Sequence, residues 1–148
     1  MKKIIIAALI IGVLAGAYVW FFMWNKPHRT AADEEAFAKL TAHALYLEYS
    51  ADEPATKAKY LDKIIQVKGE LSEIKQDASG DTELVLNTEN ESAHVIVTLK
   101  KGDTAAQAKT GTTIEIKGIC NGYLYEEMLD QADVFLNQGL IVDTTKEK

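Results

Sequence analysis

The feature that most constrains the fold is a change of hydrophobic period at Ile64. From there onward apolar side chains recur at every second position, the period of a β-strand with one buried face. Five segments read as strands: IIQVKGELSEI, TELVLNT, HVIVTL, TTIEIKGIC and MLDQADVFL. In the first of them Ile74 falls out of phase after Leu71, which predicts a β-bulge near Ser72–Glu73. The sequence therefore predicts a small, mainly β domain.

The order of these segments narrows the fold class. Residues 101–111, with three alanines and a closing Gly111, predict a short helix between the third and fourth strands. Three strands, a helix and two strands, with a long and bent first strand, is the order of an OB-fold. We therefore expect a five-stranded OB-fold Greek-key barrel. Separate signals in the preceding residues predict two helices and an N-terminal transmembrane helix before it.

The two helices have separate signals. Thr30 and Asp33 predict a capping box for the first, and Asp52-Glu53-Pro54 predicts the start of the second. The first helix would carry an apolar stripe: Phe37, Leu40, Ala44 and Leu47. That stripe either docks on the barrel or pairs with a partner helix, and the sequence leaves both open.

The N-terminal segment Ile4–Trp24 contains no charged residue and follows Lys2-Lys3. A helix of that length would measure about 31 Å, close to a hydrocarbon core of about 30 Å. Ile4, Trp20 and Trp24 are its expected anchor residues, with the lipid bilayer as partner of residues 4–24. The alternative is a secretory signal cleaved after Ala17, within an A-x-A pattern.

The short basic N-terminus is typical of a signal-anchor, which favours a single-pass membrane protein whose domain lies on the extracytoplasmic (periplasmic) side. The expected divisions are an anchor and joint over 1–29, a helical lead-in over 30–63, the barrel over 64–140 and a polar tail over 141–148. The formal net charge of −6 disfavours a phosphate backbone as partner unless the cations cluster, and they do not.

Three stretches carry a resemblance to a known family: KYLDKIIQVKGELSEI, TELVL and GTTIEIKGICNGYLYEEMLDQADV. Together they resemble the tRNA_anti-like family of bacterial OB-fold proteins, over residues 35–136. The resemblance implies a small protein, often membrane-anchored and mostly of unknown function. Its markers are Gly69, Gly118, Gly122, Leu129 and Ala132, which are fold markers and not catalytic residues.

Catalytic and metal-binding patterns are not recognisable in this sequence. His28, His43 and His94 share no ligand spacing, and the single cysteine, Cys120, alternates inward with Ile116. No activated nucleophile or paired acid and base stands out. We therefore expect a protein that is not an enzyme and uses no cofactor or metal.

The candidate binding residues lie around the mouth of the predicted barrel. The expected ligand-binding set is Tyr123, Tyr125, Asn121, Lys75, Gln76, Val85 and Ile96. The two tyrosines would form a lip, and Val85 and Ile96 an apolar floor. This favours a non-enzymatic binding or scaffold module for a protein or another envelope component. The alternative is a single-stranded nucleic-acid-binding protein, which the shortage of aromatic and basic residues on the second and third strands disfavours. The oligomeric state stays open.

Overall fold

A computed structural model of the chain describes residues 12, 15–18, 20, 35–101, 105 and 108–144. The region from residue 35 onward contains a strand, two helices and five further strands. They are β1 (Ala38–Thr41), α1 (Ala42–Ala51), α2 (Glu53–Tyr60), β2 (Ile64–Gln76), β3 (Thr82–Asn87), β4 (Ala93–Leu99), β5 (Thr113–Glu126) and β6 (Gln131–Thr144).

Strands β2 to β6 close into a barrel with the strand connections of an OB-fold. The first half of β2 pairs antiparallel with β5, and its second half pairs antiparallel with β3. From β3 the sheet continues antiparallel to β4, parallel from β4 to β6, and antiparallel from β6 back to β5. The register of β2 against β3 shifts between Leu71 and Glu73, so the predicted bulge lies where one strand passes from one neighbour to the other.

The barrel interior is built from the alternating apolar residues of these strands. Leu84, Leu86, Val95, Val97 and Leu136 are all fully buried. One end of the barrel is covered by α1, whose buried residues are Ala42, Leu45 and Tyr49. Side chains between the inward positions therefore face outward, and this places the candidate site.

The start of the helical region differs from the prediction. Residues 38–41 form β1, which pairs in parallel with β2 from Ala38↔Ile65 to Thr41↔Lys68. The helix begins only at Ala42, because the Thr41 hydroxyl accepts a hydrogen bond from the Ala44 amide at 3.1 Å and caps it. Thr30 and Asp33, the predicted capping box, lie outside the described residues.

The predicted stripe on this helix is wrong as well. Phe37 and Leu47 are 59% and 48% exposed, whereas Leu45 and Tyr49 are buried. The face that docks on the barrel is therefore rotated from the predicted one, because the helix starts later and its orientation is set by the barrel. The second helix begins at Glu53 with Pro54 in its first turn, as predicted, and Asp52 caps it.

The fold class is corrected at the N-terminus. We expected a transmembrane helix over Ile4–Trp24, but no helix among the described residues is long and apolar enough to cross a membrane. Ile4, Trp24 and most residues between them lie outside the described residues. The transmembrane helix is therefore removed from the fold class, which is a mainly β, five-stranded OB-fold barrel with β1, α1 and α2 before it.

Three further features differ from the prediction: the helix at 101–111 and both ends of the last strand. The described residues of the predicted helix at 101–111, namely 101, 105 and 108–111, adopt turn or irregular structure. The last two strands meet in a turn over residues 127–130, so Met128 to Asp130 are not part of β6 as predicted. Strand β6 runs on to Thr144, through residues assigned above to a polar tail.

Candidate binding groove

A groove crosses the outer face of the barrel over β3 and β4. It extends from the last residues of β2 to the first residue of β6, just after the β5–β6 turn. Its volume is about 370 Å³, and it is lined by Ser72, Glu73, Lys75, Val85, His94, Ile96 and Gln131. We call this surface the groove.

The floor of the groove follows from the strand alternation. Because Leu84, Leu86, Val95 and Val97 point inward, the intervening side chains point outward. Val85 and Ile96 are directly paired across β3 and β4. Val85 is only 5% exposed although it faces outward, and Glu73 on the bulged strand pairs with it from the other side. The floor of the groove is therefore apolar, and Val85 is largely covered by its neighbours.

The end of the groove formed by β2 is polar, but its groups are already paired. The Lys75 ammonium lies 3.0 Å from a carboxylate oxygen of Glu73, and both side chains are about half exposed. The Ser72 hydroxyl donates to the Val85 carbonyl at 2.9 Å. This end therefore offers one cation that is neutralised by its neighbour.

The opposite end is formed by His94, Gln131 and Asp133. Register pairing places His94 of β4 directly beside Asp133 of β6, and His94 Nδ1 lies 3.4 Å from Asp133 Oδ1. The Gln131 side-chain amide donates to the other oxygen, Asp133 Oδ2, at 2.9 Å. Asp133 Oδ1 is buried and has no hydrogen-bond partner among the described residues.

This polar end was missed by reasoning from sequence. His94 shares no ligand spacing with the other histidines, and no motif singles out Asp133. The two residues are distant in the chain and meet only through the parallel β4–β6 pairing. The sequence signal that could have found them is the strand order itself, since an OB-fold brings the starts of these two strands together.

Of the seven predicted ligand-binding residues, the groove brings together Lys75, Val85 and Ile96. Gln76 is exposed at the end of β2, next to this group. Asn121, Tyr123 and Tyr125 lie on β5 and do not line the groove.

The two tyrosines have different surroundings. The Tyr123 ring stacks on the Tyr49 ring, with centroids 5.3 Å apart, and burial raises the pKa of the Tyr123 hydroxyl. The Tyr125 ring is 49% exposed, and its hydroxyl donates to Asp130 at 2.9 Å. That hydrogen bond raises the pKa of Tyr125. Of these two tyrosines, only Tyr125 therefore exposes its ring to solvent, as the prediction of a binding lip requires.

The β5–β6 turn and the end of β5 that precedes it carry exposed apolar side chains. Leu124, Met128 and Leu129 are 57%, 92% and 65% exposed. Glu126 and Glu127 lie between them, and both are exposed. This turn extends the groove with a surface that is apolar and acidic.

The other candidate chemical groups have structural partners. A ring nitrogen of His43 donates to the Thr88 carbonyl. The Cys120 thiol is buried 3.2 Å from the Tyr49 hydroxyl, and burial raises its pKa. In the part of the chain that the structure describes, no group of three or more His, Cys, Asp and Glu side chains is placed to hold a metal ion.

The barrel connections define an OB-fold protein, and the groove lies across its β3 and β4 strands. The model of the tRNA_anti-like family matches residues 1–139, and this chain belongs to that family. No curated protein matches the chain in sequence.

The solved structures that resemble the chain include the following two. One, named a nucleic acid-binding lipoprotein from Klebsiella pneumoniae, is 13% identical, with a TM-score of 0.54, over 70% of this chain and 91% of that one. The other, named an aspartyl-tRNA synthetase from Leishmania major, is 9% identical with a TM-score of 0.43, over 81% of this chain and 23% of that one. The first similarity supports the fold alone.

Proposed function

We propose that this chain is a non-enzymatic OB-fold binding module whose groove holds a segment of a protein ligand. The observation that carries the proposal is the apolar floor of Val85 and Ile96 between two polar ends. A floor of this kind accommodates an apolar side chain, while the polar end at His94 and Gln131 hydrogen-bonds to the flanking main chain.

The charges of the groove favour a protein over a nucleic acid. Single strands are held by aromatic platforms and by cations that follow the backbone. The groove has no Phe, Tyr or Trp among its lining residues, and its lysine is paired with Glu73. Glu126 and Glu127 on the adjoining turn would repel phosphate groups, as would the net charge of −6.

The proposal of a non-enzymatic role rests on the partners of the groove's polar groups. His94 beside Asp133 resembles the base and orienting acid of a catalytic triad. The hydroxyl in the same groove, however, donates to the Val85 carbonyl. That hydrogen bond leaves no nucleophile positioned for attack, so we assign the polar residues to binding.

Binding of single-stranded nucleic acid is the second candidate. It is favoured by the name of the Klebsiella neighbour and by the position of the groove, since OB-folds bind oligonucleotides on this face. It predicts binding that weakens steeply with salt. The protein-ligand proposal predicts no such binding.

The test compares the two ligand classes on the full chain and a variant with a blocked groove. A random peptide display library is selected on the full chain, in parallel with fluorescence anisotropy of oligo(dT) and oligo(U) at 20 and 150 mM salt. In the variant, Ile96→Lys fills the groove. Thr98→Lys is the matched control, since Thr98 lies two residues on along β4 and outside the groove lining.

We expect peptides that bind the wild type and Thr98→Lys but not Ile96→Lys, with no oligonucleotide binding at either salt concentration. Oligonucleotide binding that Ile96→Lys changes and Thr98→Lys does not would overturn the proposal in favour of nucleic acid. Failure to select any groove-dependent peptide would also overturn it.

We also propose that the domain lies on the extracytoplasmic side. The support is the basic Lys2-Lys3 start followed by an uncharged run, as secreted and exported proteins have. Protease treatment of intact spheroplasts carrying a C-terminally tagged chain tests this. Digestion without lysis is expected, and protection until lysis would place the domain in the cytoplasm.

A further inference from the structure

We propose that His94 recognises an N–H donor of the ligand through its Nε2 atom, and that Asp133 holds the ring in the tautomer this requires. The inference rests on the proposed function, since it names the chemistry that the same groove selects. In this inference His94 contacts the ligand directly, and Asp133 is a positioning residue that orients the His94 ring.

The first step is the unpaired oxygen of Asp133. Its side chain is 15% exposed, and Oδ2 accepts the hydrogen bond of the Gln131 amide at 2.9 Å. Oδ1 is fully buried, and no described residue donates to it. A buried carboxylate oxygen without a donor is unfavourable, because it has lost water and gained nothing in exchange. A hydrogen bond from any donor within reach of Asp133 Oδ1 would therefore be favourable.

His94 Nδ1 is positioned to be that donor. It lies 3.4 Å from Oδ1, and the backbones of the two residues are register partners in adjacent parallel strands. A small rotation of the ring brings the pair to ordinary hydrogen-bond distance. A carboxylate beside one ring nitrogen keeps the proton on that nitrogen and so sets the tautomer.

The second nitrogen is then left for a ligand. With the proton on Nδ1, Nε2 of the neutral ring carries a lone pair and accepts a hydrogen bond. The His94 side chain is 27% exposed and lines the groove. No described residue pairs with Nε2, whereas Ser72, Glu73 and Lys75 in the same groove are already paired with protein groups.

The combination specifies a ligand class. Next to the acceptor lies the floor of Val85 and Ile96, which takes an apolar side chain. A peptide segment offers an apolar side chain with a main-chain N–H beside it. A phosphate or a sugar hydroxyl does not combine these two groups. A nucleobase does carry N–H groups on a flat ring, but Glu73, Glu126 and Glu127 disfavour the phosphates that come with it, so we assign the groove to a peptide.

The tautomer is measured first, on the free full chain, which needs no ligand. Long-range proton–nitrogen NMR correlations of the ¹⁵N-labelled imidazole at pH 8 distinguish the two neutral tautomers, and His94→Gln assigns the signal among the three histidines. We expect the Nδ1–H form for His94 and a loss of that preference in Asp133→Asn. The Nε2–H form in the wild type would overturn the inference.

The second measurement uses peptides selected from the display library and a pair of substitutions. In His94→Asn the amide takes the place of Nδ1 and leaves nothing at Nε2, whereas in His94→Gln it reaches the place of Nε2. We expect binding to weaken roughly three- to tenfold in His94→Asn, the range of one neutral hydrogen bond, and to be largely retained in His94→Gln.

N-methylation of each peptide amide then identifies the donor. One N-methyl position should weaken binding to the wild type and have no further effect in His94→Asn. Groove-dependent peptides that bind both variants equally would overturn the inference and leave the proposed function standing. Absence of any groove-dependent peptide would overturn the proposed function instead, while the tautomer result is obtained independently.

Discussion

The ring of Tyr49 lies parallel to the ring of Tyr123, with centroids 5.3 Å apart and planes inclined by 8°. The Tyr49 hydroxyl lies 3.2 Å from the Cys120 sulfur. One aromatic pair thus joins α1, which carries Tyr49, to β5, which carries the other two residues. Tyr123 therefore packs a helix against the barrel, while its neighbour Tyr125 faces solvent.

Replacing Tyr123 with alanine should destabilise the domain. The substitution removes a partly buried ring and its stacking contact with Tyr49, and we expect the free energy of unfolding to fall by about 2 kcal/mol. Urea unfolding followed by circular dichroism measures this. Tyr125→Ala is the matched control, two residues on in β5, and should leave the unfolding midpoint unchanged. Equal midpoints for both variants would contradict the packing role of Tyr123.

Gly139 of β6 has no room for a side chain. A Cβ at this position would lie 2.5 Å from Val97 Cγ1 and 3.3 Å from Leu99 Cδ2. Gly139→Ala should therefore force β4 and β6 apart and cost about 1–3 kcal/mol, the usual range for overpacking. Thermal unfolding measures the loss. Asn137→Ala, at an exposed position of the same strand, is the control and should change the midpoint little.

The Cys120 thiol should be unreactive in the folded protein. It is buried, and burial raises its pKa, so both access and the thiolate fraction are low. We expect Ellman's reagent at pH 8 to label it only as fast as the domain opens, and fully in 6 M guanidinium chloride. Rapid labelling of the native chain would show that the contact between α1 and β5 is open in solution.

The ion pair between Glu48 and Lys59 should give the two helices a pH-dependent contact. The Lys59 ammonium lies 2.8 Å from a Glu48 carboxylate oxygen, and this hydrogen bond lowers the pKa of Glu48 below its ordinary 4.5. A lowered carboxyl pKa contributes stability above the unfolded pKa, and that stability is lost as the pH falls through the folded pKa.

Glu48→Gln should therefore unfold at a slightly lower temperature than the wild type at pH 7. The difference should shrink as the pH falls below 4.5 and through the lowered pKa of folded Glu48, and it should vanish once Glu48 is protonated in both states. Thermal unfolding from pH 7 to pH 3 measures it. A difference that stays constant over this range would contradict a contribution from the charge. Glu53→Gln, at the first residue of α2 and without a cation partner among the described residues, is the control.

The strands of the barrel could be predicted from sequence because the alternation of apolar and polar residues that indicates a strand involves only neighbouring positions. Alternation placed Leu84, Leu86, Val95 and Val97 inside, and the slipped phase of Ile74 located the bulge of β2. The same alternation placed Val85 and Ile96 on the outer face, which is why they were found as candidate site residues.

The elements that were predicted wrongly depend on contacts with distant residues. The sequence AKLT of β1 carries a helical apolar pattern, yet it pairs with β2 because the edge beside Ile65–Lys68 accepts a strand. A contact with a distant residue, the stacking of Tyr49 on Tyr123, also determines which face of α1 is buried. Intrinsic preference is weak for such short segments, so tertiary pairing decides them.

The sequence by itself determined the strand order, the inward set of residues and the outward positions of Val85 and Ile96, because a period of two is a property of neighbouring residues. Only the tertiary structure decided that His94 and Asp133 share one end of the groove and that Tyr123 is packed while Tyr125 is not. These relationships arise from the register between strands and from the docking of α1 on the barrel. Both depend on contacts between segments that are distant in the sequence.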